Sequence, residues 1–316
     1  MFIKCDTIKI RCNYKYLKEM KIPFNIQYNS NGKEQGRYFN SKHYQHIPYN
    51  LYIATNNYHQ SLEIEFSSKI LKERYPELIN KDNIRQCLEN INKLDICTID
   101  VDGILNHGWI IKADITKDVD LKLTEEILDA LNNNVGNYRR FKWQHYSGKG
   151  ITFTKDTKYN KEEIKIYDKY QELLRHSRKF VDTLENRKDV MDYFYGKVRF
   201  EITLKGESQI TEQLGVGSGI KDFFNAIDCA IRQQFNKVFN CSALELDTSN
   251  CNGYEEWAMA QILDKYNGDL KQIEQSIRYR YNSRRGLTRR MDKFKLVKSL
   301  TNKKENEIIK QVRNLL

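Results

Sequence analysis

Residues 163–173 read EIKIYDKYQEL. The first half alternates, Ile164 and Ile166 facing one way and Lys165 and Tyr167 the other, which is the pattern of a half-buried strand. The second half opens a helix. Asp168 is the N-cap, Gln171 completes a capping box, and Leu173, Leu174, Val181 and Leu184 continue an apolar stripe. Tyr167 therefore stands at a strand-to-helix junction, beside a helix N-terminus, with a lysine two residues away on either side.

The same alternation recurs at three other places. In 61–67, Leu62, Ile64 and Phe66 oppose Glu63 and Glu65; in 96–102, Cys97, Ile99 and Val101 oppose Thr98, Asp100 and Asp102; in 198–204, Val198, Phe200, Ile202 and Leu204 oppose Arg199, Glu201 and Thr203. Such strands make a sheet that helices cover on one face. Paired in one sheet, they would gather Glu63, Asp100, Asp102, Glu201, Arg199 and Tyr167 on the open face. Carboxylates converging in a basic protein suggest a hard cation such as Mg²⁺ or Mn²⁺. The plainer alternative is that each carboxylate is the solvated half of an amphipathic strand.

Further strands are expected at 6–12, 36–41, 51–55 and 149–155, and helices at 81–94 and 123–133, with a long helix after Asp168. From about residue 210 the periodicity is helical throughout, and 220–239 reads as one amphipathic helix. The expected class is α+β: an antiparallel sheet with helices on one face, then an all-helical C-terminal region. The expected division is 1–208, a connecting helical region at 209–252, and a basic helical region at 253–316.

The chain has 316 residues, 40% of them apolar and 12% aromatic, enough to build a core despite a mean hydropathy of −0.74. A net charge of +11 favours a polyanionic partner, nucleic acid first. Seven cysteines, an odd count with no C-x-x-C pair, fit a reduced cytoplasmic protein. No run of 18 apolar residues points to a membrane.

In this order, TIDVDG (98–103), IKIYDKYQEL (164–173) and GKVRFEITLKG (196–206) resemble the filamentous-phage gene II/X replication initiators and the related plasmid Rep_trans initiators. Those families carry R-I-D-x-x-x, then Y-x-K-x-x-E-L, then V/W-R-F-E-x-x-L-K. SLEIEFSSKIL (61–71) resembles a further strand of the family. The resemblance spans about residues 36–206 and implies rolling-circle initiators with a degenerate HUH nickase palm. It puts the nucleophile on Tyr167 and metal carboxylates on Asp100 and Glu201, with Glu63 third and Asp102 on the same strand. Two departures stand out: Thr98 or Ile99 replaces the family's arginine, and no His-hydrophobe-His pair exists. HYQH (43–46) has metal-like spacing but precedes Pro48 in a loop, where exposed histidines are the plainer reading.

A tyrosine has an ordinary pKa of about 10, so attack at neutral pH requires activation. A divalent cation, the charges of Lys165 and Lys169, and the positive end of the helix after Asp168 all act in that direction. Glu172 either activates water or pairs with a lysine. Tyr170, one turn on, is either a second nucleophile or a packing residue. Arg199 either binds a phosphate oxygen or pairs with a neighbouring carboxylate.

Between 278 and 298 lie Arg278, Arg280, Arg284, Arg285, Arg289, Arg290, Lys293, Lys295 and Lys298, opposed by Asp292, with Tyr279 and Tyr281 interleaved. The stretch 257–294, WAMAQILDKYNGDLKQIEQSIRYRYNSRRGLTRRMDKF, reads as helix, Asn-Gly turn, helix, turn, helix, compatible with a helix-turn-helix on duplex origin DNA. A basic bundle with a solvated face is the alternative. The leading expectation is a DNA nickase and strand transferase that forms a 5′-phosphotyrosine and a 3′-OH primer, acting on single-stranded and duplex origin DNA. Host helicase, polymerase and a second copy of the chain are open as further partners. The competing classes are a non-catalytic sequence-specific DNA-binding protein and a metal-dependent hydrolytic nuclease.

Overall fold

In a computed structural model of the chain, residues 2–133, 142–146, 150–156, 161–227, 229–239, 244–266, 268–305 and 307–316 are described. The chain divides into two compact units, Met1–Phe239 with Arg313–Leu316, and Asn240–Val312.

In the first unit the alternating stretches form strands β1 (Cys5–Asn13), β2 (Leu17–Met20), β3 (Asn25–Tyr28), β4 (Glu34–Asn40), β5 (Leu51–Asn56), β6 (Ser61–Ser67), β7 (Cys97–Ile99), β8 (Trp109–Asp120), β9 (Lys142–Tyr146), β10 (Gly150–Asp156), β11 (Lys161–Asp168) and β12 (Lys197–Lys205). Ten of them make one antiparallel sheet in the order β3-β4-β5-β6-β1-β8-β12-β11-β10-β9. Its helices are α1 (Ile84–Asn92), α2 (Val101–His107), α3 (Glu125–Asn133), α4 (Lys169–His176), α5 (Arg178–Val181), α6 (Arg187–Phe194), α7 (Glu207–Leu214), α8 (Ile220–Asn225) and α9 (Ala230–Val238). The antiparallel sheet with helices and the helical C-terminal region is the class expected from the alternation and the later helical periodicity.

Register decides what shares a face. Residues opposite one another in a ladder point the same way. Thus Arg11 lies across from Glu63, Thr7 from Asp114, Thr116 from Glu201, Asp118 from Arg199, Lys165 from Glu201 and Tyr167 from Arg199. The other face holds Ile8, Ile10, Ile115, Phe153, Ile164, Ile166, Phe200 and Ile202, all buried. Helix α9 packs on that face, with Phe235 against Phe200 and the following Phe239 edge-on to Phe153. At the Arg199 end the polar face is roofed by a 3-10 segment, Ser68–Glu77, and by α4–α6, whose apolar side chains Tyr75, Leu173, Phe180, Val181, Leu184, Val190 and Phe194 form one cluster.

Three expectations are corrected. The stretch 96–102 is not a strand of the main sheet. Only Cys97–Ile99 is extended, paired with β2 in a separate two-stranded sheet, and Asp100 then caps α2 by accepting from the Gly103 N–H at 2.9 Å. The chain after Asp168 is not one helix: it breaks at Ser177, whose hydroxyl is drawn into contacts with Glu172 and Lys69, and again before Arg187. The span 220–239 also breaks, because Ala226 is extended (φ −63°, ψ 146°) and ends α8.

The second unit contains α10 (Gly253–Lys265), α11 (Leu270–Ile277) and α12 (Arg284–Leu300), and an antiparallel pair of β13 (Leu244–Asp247) with β14 (Asn302–Glu305). Met259, Ala260, Leu263, Ile273, Leu287, Met291, Phe294 and Val297 form its core. Asp269 caps α11 and Ser283 caps α12. Among the described residues, no helix is long and apolar enough to cross a membrane.

Candidate active site

Tyr167 is the last but one residue of β11, half-buried at the junction with α4. Asp168 makes the junction: its carboxylate accepts from the Gln171 N–H at 2.9 Å and caps the first turn of α4, which follows the tyrosine directly. Across the ladder stands Gly150, with φ +154°. A Cβ there would lie 2.6 Å from the Ile166 carbonyl oxygen and 2.7 Å from Tyr167 Cβ, so only glycine lets β10 pass this close.

The phenol donates to Glu201 Oε2 at 3.1 Å, and the other oxygen of that carboxylate accepts from Lys165 Nζ at 2.7 Å. Lys165 also pairs with Glu163 at 3.0 Å. On the next strand Asp114 accepts from the Thr203 hydroxyl at 2.6 Å. Lys169 is buried under the tyrosine, its ammonium 5.6 Å from the Tyr167 ring centre and 2.5 Å from Glu172 Oε2. Ser177 donates to the other Glu172 oxygen at 2.7 Å and accepts from Lys69 at 2.6 Å. Tyr167, Glu201, Lys165, Asp114, Lys169, Glu172 and Lys69 border a cleft of about 600 Å³ whose wall also carries Arg175 and His176.

The electrostatics are uneven. Burial, and then the charge of Glu201, hold the Tyr167 proton well above the usual phenol range. Burial, and then Glu201, push Asp114 up to about 7. Burial works against the Lys165 charge, but Glu201, Asp114 and Glu163 outweigh it and keep the ammonium above its usual range. Asp114 is thus left short of compensating positive charge, and an added cation beside it would relieve it.

Among the described residues, no three His, Cys, Asp or Glu converge as a metal cage. The set Glu63, Asp100, Asp102 and Glu201 does not assemble. Glu63 lies across β1 and β8 from Glu201 and is taken by Lys9 at 2.6 Å and Arg11 at 2.8 Å. Asp100 caps α2 and pairs with Lys18, and Asp102 pairs with Arg85. The carboxylate that does meet Glu201 is Asp114, which the four stretches singled out in the sequence omit. Its signal is the alternation Lys112, Asp114, Thr116, Asp118 against Ala113, Ile115 and Val119. Mg²⁺ characteristically takes one or two carboxylates and completes its shell with water and phosphate, so the Asp114–Glu201 pair fits such an ion as a half-site.

Arg199 does not reach a phosphate. It is fully buried, with two bonds to Asp118 at 2.7 and 2.8 Å, one to Asp6 at 3.0 Å and one to Tyr75 Oη at 2.9 Å. It ties the roof of the cleft to the sheet. Tyr170 packs edge-to-face on Tyr195 and against the apolar roof, outside the cleft.

The stretch that holds α1, β8, β11, β12 and most of the lining of this cleft is also the stretch with a family match. Residues 80–223 match the family model for the N-terminal region of the phage replication-associated gene II protein. The match is consistent with the filamentous-phage gene II replication initiators that the motifs resemble, and it contains Asp114, Tyr167 and Glu201. The matched family is one of phage replication-associated proteins. No curated protein matches the chain.

In the second unit, Arg278, Arg280, Arg284, Arg285 and Arg289 are exposed, while Arg290 is half-buried, held by Glu255 at 2.7 Å and Tyr281 Oη at 2.9 Å. The first five face solvent, with Arg280 also donating to Tyr279 Oη.

Proposed function

We propose that the first unit nicks one strand of origin DNA through Tyr167. The observation that carries this reading is the Tyr167–Glu201 hydrogen bond in a lysine-lined cleft at a helix N-terminus. Tyr167 Oη attacks the scissile phosphorus, and its proton passes to Glu201 Oε2. The P–O3′ bond breaks, the 3′ oxygen takes up a proton, and a 5′-phosphotyrosine forms. The phosphoester energy is retained, so a 3′-OH attacking the phosphotyrosine rejoins the strand without ATP. Lys165 and Lys169 offset charge gathering on the phosphate oxygens, as do the first-turn amides of α4. Asp114 and Glu201 would hold a divalent ion, Mg²⁺ or Mn²⁺, which supplies charge neutralisation at the phosphate when bound.

The test incubates the protein with labelled supercoiled or single-stranded origin DNA and Mg²⁺. A covalent protein–DNA adduct that is lost in Tyr167→Phe is the expected result. Metal-dependent cleavage that survives Tyr167→Phe would make the protein a hydrolytic nuclease, and binding without cleavage under any metal would make it a non-catalytic DNA-binding protein. On the second unit, Arg278, Arg284, Arg285 and Arg289 are read as contacts to duplex phosphates and Arg280 as a further contact to DNA.

A further inference from the structure

The second unit completes its core without two of its largest aromatic side chains. Tyr254, in the first turn of α10, is 80% exposed, and Tyr279, in the turn between α11 and α12, is 75% exposed. Both rings border one cleft of about 720 Å³ with Lys265, Arg280, Tyr281 and Arg290. Glu255 is the carboxylate of that wall, and Arg290 and Lys293 already occupy it. Lys265 and Arg280 have no carboxylate partner among the described residues. The Arg280 guanidinium lies 5.2 Å over the Tyr279 ring, and its Nε donates to Tyr279 Oη at 3.0 Å, which holds the ring upright at the rim.

Exposed rings beside cations form a surface on which flat aromatic heterocycles stack while the cations meet the adjoining phosphates. Bases in an intact duplex do not offer their faces, so this geometry selects unpaired ones. We propose that this cleft binds single-stranded DNA, stacking unpaired bases on Tyr254 and Tyr279 and pairing backbone phosphates with Lys265 and Arg280. The proposal rests on the reading of the chain as an origin-binding initiator and adds a second single-strand site, separate from the Tyr167 cleft. It divides the labour within the second unit: the basic first turns of α12 meet duplex phosphates, and the tyrosine cleft takes a melted strand.

The full chain carrying Tyr167→Phe, which cannot form an adduct, is irradiated with a short oligodeoxynucleotide containing 5-iododeoxyuridine, and the cross-linked peptides are mapped. Cross-links on Tyr254 or Tyr279 are expected. In the same background, Tyr254→Ala with Tyr279→Ala is expected to weaken single-strand binding, read by fluorescence anisotropy, at least about five-fold. Duplex binding and the helical circular dichroism should stay unchanged. Cross-links confined to the first unit, or unaltered single-strand affinity, would overturn the proposal, and an equal loss for duplex would assign the cleft to duplex contact instead. Adduct formation by the Tyr167 chain is scored separately, so a failure of the nicking reading leaves this result legible.

Discussion

Glu201 touches the Tyr167 phenol and Lys165 at once, and its charge acts on Asp114. The pressure on that pair sets the pH behaviour of the site. Asp114 is raised to about 7 in the folded chain against an ordinary value of 3.8. Between those values the folded state holds a proton that the unfolded chain releases, so this group costs stability progressively as pH rises from about 4 to about 7. Asp114→Asn, which keeps an acceptor for Thr203, is therefore expected to gain stability at pH 8, by up to about 4 kcal/mol, and none below pH 4. Denaturant unfolding in chelator at the two pH values measures this. A gain of the same size at both would show that packing, not charge, is responsible. Arg199 works in the opposite sense. Burial works against the Asp6 charge, but Arg199 and Lys169 outweigh it and hold the carboxyl well below its usual range, so that stabilisation persists to acid pH.

At the scale of the element, the β11–α4 junction aims the tyrosine, and two small backbone devices set the aim. Asp168 turns the strand into the helix, and Gly150 lets the neighbouring strand close against Tyr167. Gly150→Ala would force the Ile166 carbonyl and Tyr167 Cβ away from the added methyl. A fall in adduct formation of about ten-fold or more, with DNA affinity within about two-fold, is expected. Asp100→Ala is the matched control: it removes a helix cap far from the cleft and should lower the melting temperature slightly while leaving adduct yield intact. An adduct yield lost in Asp100→Ala would restore that residue to the site.

Across the whole molecule, the two units carry different chemistry on one chain of net charge +11. The first spends its charge on internal pairs: Lys9 and Arg11 on Glu63, Lys112 on Glu65, Lys165 on Glu201. The second leaves Arg284, Arg285 and Arg289 exposed on α12. Each such residue that neutralises a phosphate contributes about 0.9 to the slope of log affinity against log salt. The triple alanine variant is therefore expected to weaken duplex binding uniformly across sequences and to flatten that slope by up to about 3. An unchanged slope would return α12 to the role of a solvated basic face.

Much of this was legible in the amino-acid order because strand alternation and helix capping are local. The phase of 61–67, 163–167 and 198–204 places Glu63, Lys165, Tyr167, Arg199 and Glu201 on one sheet face, and Asp168 marks the junction. What alternation leaves open is which polar residues meet. Strand order puts β1 and β8 between Glu63 and Glu201, and sets Asp114 rather than Asp100 opposite Thr203, the next residue on Glu201's face of β12. TIDVDG alternates as a strand would, yet the Asp100 carboxylate finds the Gly103 amide three residues on, and a local cap outcompetes a distant ladder. Arg199 has the look of a phosphate ligand until the roof closes over it; a buried guanidinium must be paired, and Asp118 and Asp6 are 81 and 193 residues away along the chain. Local order chose the elements and the face of each side chain, whereas long-range pairing, set by burial and charge, chose the partners that make a site.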